Sequence, residues 1–180
     1  MVMEITIIRE SKVSFMNVEG KSTSQVERAF SRARSEAQYH AASIELRKEA
    51  LSIADSYVGN PLRFSISNGI EMDVEITKSD VKTIVGKRTH DAKFNAIKNA
   101  LARDLKGYLK KAKYEGWREV IPNKHPETVY FAYYSRTLGA KTYLCVRKMG
   151  NTGLFKPYAI IDQRTFDAEI GALRKDKPPR

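Results

Sequence analysis

The chain has 180 residues, with 32 Lys and Arg against 21 Asp and Glu, a net charge of +11 and a pI near 9.7. Hydrophobic content of 42% and charged content of 29% are ordinary for a globular protein and exclude a disordered chain. One cysteine, Cys145, excludes an internal disulfide or a CxxC metal site, and no apolar run reaches the length of a membrane span.

The start, "MVMEITIIRE", has neither the basic lead nor the long apolar run of a cleaved signal, so a soluble chain in a reducing cytoplasm is expected. "MEITIIRE" and "KVSFMNVEG" alternate apolar and polar residues and predict an amino-terminal hairpin. Ser22 and Gln25 form a capping-box pair that opens one long helix, with Val26, Phe30, Ala33, Ala37, Ile44, Leu51 and Val58 on its apolar face and Gly59-Asn60-Pro61 as its stop. His40 falls on that face and reads as a packing residue. These first 60 residues are expected to form an accessory lobe.

Residues 61–174 are expected to form a basic domain, and 175–180 a polar tail. "LRFSISNGIEMDVEI" predicts a hairpin about an Asn68-Gly69 type I′ turn. Thr77 and Asp80 predict a short capped helix ending at Gly86. A long helix should run from about His90 to Tyr114, capped by Thr89, with Phe94, Ile97, Leu101, Leu105, Tyr108 and Ala112 as its apolar stripe. "WREVI", "ETVYFAYYSR", "KTYLCVRKM" and "FKPYAII" read as strands, with "TLGA" as a hairpin connection, before a last helix from Arg164 to Leu173 and a frayed end. The fold class is therefore α+β: helices packed on one face of an antiparallel sheet of three or four strands, after an amino-terminal hairpin and a long helix.

The charge is not spread evenly. Residues 1–77 carry 9 basic against 11 acidic side chains (net −2), residues 78–118 carry 12 against 4 (net +8), and residues 119–180 carry 11 against 6 (net +5). Such concentration points to a polyanionic partner, RNA or another nucleic acid, with no membrane role. Lys93, Lys98, Arg103, Lys106 and Lys110 are the candidate nucleic-acid contacts on the long helix.

"GKRTHDAK" places Lys87, Arg88 and His90 where that helix begins. It is no P-loop, because Val81 stands where the first glycine is required and Arg88 where Ser or Thr is required. No metal-ligand spacing joins His40, His90 and His125, and no cofactor is expected. What remains suits RNA cleavage without a metal, which needs groups that take and give protons and cations that hold the phosphate. His90 and His125 are the candidate proton carriers. Lys87, Arg88 and Arg136 are candidate phosphate ligands, and Lys141, Arg147 and Tyr133 candidate partners on the sheet. Tyr133 and Tyr134 should face opposite sides of it.

The order "ISNGIEMDVEITKSDVKTIVGK", "THDAKFNAIKNAL", "VYFAYYSRTLGAKTYLCVRKM" and "PYAIID", over roughly residues 66–162, resembles the phage and mobile-element nuclease-like modules of the barnase, EndoU, colicin and RelE-type superfamily. The resemblance implies helices on an antiparallel sheet and a metal-independent endoribonuclease, a toxin or effector whose His90 works with Lys141, Thr142 or Arg147. A module that binds nucleic acid without cleaving it, or an inhibitor or host-takeover protein directed at a protein partner, is the alternative. A neutralising or target protein is a possible partner in either case.

Overall fold

The computed structural model describes residues 18–33, 35–121 and 123–179. The expected amino-terminal hairpin falls largely on residues 1–17, outside the described residues. The elements run α1 (Thr23–Arg32), α2 (Glu36–Asp55), β1 (Leu62–Asn68), β2 (Ile70–Ile76), α3 (Lys78–Gly86), α4 (Ala92–Ala102), α5 (Leu105–Lys111), β3 (Lys113–Glu119), β4 (Thr128–Thr137), β5 (Lys141–Met149), β6 (Phe155–Asp162) and α6 (Gln163–Glu169), followed by a short 3₁₀ turn. The fold is α+β.

Neither long helix is continuous. The first breaks at residues 33–35, where Ala33 is extended and Ser35 with Gln38 starts a second capping box. That break resets the helical phase. The buried face of α2 is Ala42, Leu46, Ala50 and Ala54, while Ile44 and Val58, expected inside, are 43% and 65% exposed. The second helix breaks at Arg103-Asp104, because the Asp104 carboxylate accepts from the Gly107 amide and begins α5. It also starts later than expected: Asp91, not Thr89, is the cap, accepting from the Phe94 amide.

Among the described residues the sheet is mixed and six-stranded, in the order β1-β2-β6-β5-β4-β3. All pairs are antiparallel except β2 with β6, which meet at Val74 and Phe155. The expected three or four antiparallel strands are thus β3 to β6, extended at one side by the β1–β2 hairpin. Its turn is tighter than type I′. Asn68 pairs with Ile70, and only Gly69 has positive φ, at 75°. A Cβ at Gly69 would stand 2.5 Å from the Tyr114 side chain, so the position demands glycine twice over. The Asn68 amide instead donates to the carbonyls of Leu109 and Ala112, both at 2.7 Å, and closes the end of α5.

Helices α2 to α5 cover one face of the sheet and share one core with it, from Val26 and Phe30 of α1 through Leu46 and Ile97 to Tyr134 and Leu144. The chain segment expected as an accessory lobe therefore buries its apolar face in the same core. A second cluster of Phe131, Tyr133, Tyr143, Cys145, Ala159 and Phe166 lies on the opposite face, under α6. Tyr133 and Tyr134 do fall on opposite faces. The tail begins pinned rather than frayed: Arg174 and Trp117 exchange both backbone hydrogen bonds, and the Trp117 indole donates to Asp176.

Candidate functional site

The two sides of the sheet use the basic residues differently. On the helical side most of the expected cations are committed to holding the fold. Lys98 is only 1% exposed, and its ammonium donates to the Lys87 carbonyl. Arg103 donates to the Lys21 carbonyl at 2.8 Å and to Glu49 at 3.2 Å. Lys106 rests 5.3 Å from the Phe64 ring. Lys110 is exposed, and Lys93 lines a cleft with His90, Asp91, Glu36 and Tyr39. The expected cation ribbon on one helix is therefore broken up: Lys98 and Arg103 face inward.

His90 does not open the helix. It precedes the Asp91 cap, and the Asp91 carboxylate already occupies the first-turn amide where a phosphate was expected to sit. Arg88 turns toward α2, and Arg136 lines a different cleft with Arg103, Asp104 and Lys111. His90, Lys87 and Arg88 do not form the expected single phosphate site: Lys87 and Arg88 are consecutive residues of an extended link, and their side chains diverge.

Lys87 reaches the second face of the sheet, and there the structure gathers a cluster. Its ammonium lies 4.1 Å over the ring of Tyr158. The Arg147 guanidinium lies 5.7 Å from the same ring. His125 packs edge-on against Tyr158 and Phe131, with centroids 5.7 and 5.3 Å away. Those two rings are 5.4 Å apart, and Arg118 stands 4.8 Å over Phe131. Lys87, Arg118, Arg147 and His125 thus surround one pair of aromatic rings. Arg118 is fixed from below: its Nε donates to the Tyr133 hydroxyl at 2.6 Å, which donates to Glu169 at 2.9 Å. The buried Nε of Arg147 has no hydrogen-bond partner.

The electrostatics follow from this crowding. Partial burial, then the charges of Lys124, Arg118, Arg147 and Lys87, hold His125 below its ordinary value, so its imidazole is neutral at pH 7. Burial also lowers Lys87, with Arg147 adding to the effect and Cys145 and Glu169 opposing it. Burial pushes Tyr133 far above the usual phenol range, with Cys145 and Glu169 adding, so its proton stays in place and its role is positional. Cys145 is pushed up to about 12 by burial and is no nucleophile. Lys141 shares this face at its other end, beside Tyr143 and 3.9 Å from Glu115, but Phe166 of α6 stacks on Tyr143 at 3.7 Å and covers the middle.

Of the residues singled out from the sequence, the structure brings together Lys87, His125, Tyr133 and Arg147, and leaves His90, Arg88, Arg136 and Lys141 elsewhere. Arg118, Phe131, Tyr158 and Glu169 complete the cluster and were not expected. The signal for Arg118 was hidden by the register shift between Tyr114 and Gly116, which changes the face that "WRE" presents. Among the described residues no group of His, Cys, Asp and Glu is placed to hold a metal, and no helix is long and apolar enough to cross a membrane. Against protein-family models, curated proteins and solved structures, the chain finds no match.

Proposed function

We propose that the second face of the sheet is a nucleic-acid site, and that the protein is a metal-independent endoribonuclease of the kind its element order resembles. The observation that carries this reading is the convergence of Lys87, Arg118, Arg147 and His125 on the Phe131–Tyr158 ring pair. Of the two rings only Tyr158, which is half-buried, offers a face on which an unpaired base can stack, with the buried Phe131 packed beside it, and guanidinium groups match the geometry of phosphate oxygens. In the reaction, neutral His125 takes the proton of the 2′-hydroxyl as that oxygen attacks phosphorus. Lys87, its ammonium made more acidic than usual, gives a proton to the departing 5′ oxygen as the P–O5′ bond breaks. Arg118 and Arg147 balance the charge that builds on the phosphoryl oxygens. The products are a 2′,3′-cyclic phosphate and a free 5′-hydroxyl. Tyr133 and Glu169 keep Arg118 in place.

The test is incubation of labelled RNA with the purified protein in EDTA, followed by identification of the product ends. Cyclic phosphate ends that vanish in His125→Ala support the reading. Salt-dependent binding with no cleavage at any pH from about 5 to 9 would replace it with a non-catalytic nucleic-acid-binding protein, a role that the same aromatic and cationic surface serves. A cytoplasmic toxin or effector, held in check by a neutralising protein, is the setting this chemistry suits.

A further inference from the structure

The side chain of Lys98 leads away from the sheet face, into a cavity of about 300 Å³ between α2 and α4. Its polar lining includes His40, Arg47 and Lys48 of α2, Arg88 of the α3–α4 link, and Lys98 and Asn99 of α4, and among the described residues no carboxylate lines it. A buried cation is normally paired, because leaving water without a counter-charge is unfavourable. Here the only hydrogen-bond acceptor that Lys98 finds among the described residues is the backbone carbonyl of Lys87. The Nε of Arg47 is buried with no hydrogen-bond partner. Asn99, 2% exposed, donates to the Ser43 carbonyl at 2.9 Å, yet its own buried carbonyl oxygen has no partner. Burial, together with Lys87, Arg47 and Arg88, lowers Lys98 to about 8, so the unpaired charge is held at pH 7 under strain.

From the cavity, its unopposed cations and its orphaned donor and acceptor, we propose that it binds a small anion carrying a phosphate group. Lys98, Arg47 and Arg88 contact the phosphate oxygens, and the Asn99 carbonyl accepts from a hydroxyl of the ligand or of the monoanionic phosphate. The volume is at the lower end of that of small-molecule sites and leaves room for a phosphomonoester with a compact body. The proposal is independent of the sheet-face reading: Lys87 gives Lys98 its backbone carbonyl and adds to the local positive charge, but it does not line the cavity.

The probes are inorganic phosphate, AMP and adenosine, titrated calorimetrically into the full chain at low ionic strength. Phosphate and AMP should bind saturably at one site, and adenosine should not; AMP tighter than phosphate would identify a nucleotide, and equal affinity free phosphate. Arg47→Gln, on a partly exposed helix position, and Lys98→Met should each weaken binding about tenfold or more. Arg147→Ala on the sheet face should leave it unchanged. Affinity should also fall between about pH 7 and 9 as Lys98, facing Lys87, Arg88, Arg47, His40 and Lys48, loses its proton. No saturable binding at about 10 mM phosphate, or binding lost in Arg147→Ala but kept in Arg47→Gln, overturns the proposal.

Discussion

Helix α4 and the second sheet face are both basic, yet they treat their cations in opposite ways. On α4, Lys98 is buried against a carbonyl, and Arg103 in the turn after it ties the Lys21 loop and Glu49 to the helix. On the sheet face Lys87, Arg118 and Arg147 stand over aromatic rings, and among them only Arg118 is engaged by a side chain, the Tyr133 hydroxyl backed by Glu169. Charge per residue is high in both places, but charge that an RNA strand can use is concentrated on the sheet. Aromatic rings hold a cation without consuming its hydrogen-bond donors, whereas a carbonyl or carboxylate does consume them.

The largest effect separating the two regions should come from the histidines. His125→Ala should reduce RNA cleavage about 100-fold or more with little change in binding, while His90→Ala leaves the rate as it was; single-turnover assays would read this directly. The rate of the unaltered protein should be bell-shaped in pH. It rises as His125 loses its proton below its ordinary pKa, and falls as Lys87 loses its own below the usual lysine value.

Next in size is a loss of stability confined to the helical side. Arg103→Ala leaves Glu49 without its ion-pair partner and frees the Lys21 loop, at a cost of roughly 2–3 kcal/mol in denaturant unfolding, with RNA affinity unchanged. The smallest effect runs the other way. Lys98→Met removes a buried charge, so the melting temperature should rise by a few degrees at pH 7. The sign follows from linkage: burial lowers Lys98 from the ordinary lysine value to about 8. The unaltered protein therefore gains stability as pH climbs from about 8 to 10.5, and the advantage of the variant shrinks over that window. A melting-temperature difference that stays constant through it would mean that Lys98 is hydrated.

Much of this arrangement was legible in the chain, and the exceptions have identifiable causes. The capping boxes at Ser22 and Thr77, the β1–β2 hairpin, and the β4–β5 pair joined through "TLGA" follow from local chemistry alone. The two helix breaks were hidden because Ser35 and Asp104 read as tolerable interior residues until their carboxylate or hydroxyl is seen taking a backbone amide. The break before Ser35 shifts the helical phase and so turns Ile44 outward, and Val58 lies past the end of α2; Lys98, four residues after Phe94 and three before Leu101, lies on the apolar stripe itself, and only its charge argued for the outer side. The parallel contact between β2 and β6 is non-local and has no sequence signature. Lys87 and Arg147 were recognised as cations, but their meeting at Tyr158 depends on the β6 strand and the α3–α4 link arriving at one place, which no spacing rule predicts.

The central claim, that nucleic acid meets the sheet face and not helices α4 and α5, is tested most directly by the salt dependence of binding to a single-stranded RNA. Each phosphate contact removed should flatten the slope of log affinity against log salt by about 0.7. The double variant Arg118→Ala, Arg147→Ala should therefore flatten it by about 1.4, while Lys93→Ala, Lys110→Ala leaves it unchanged. A slope that flattens for the helix pair and not for the sheet pair would contradict the account.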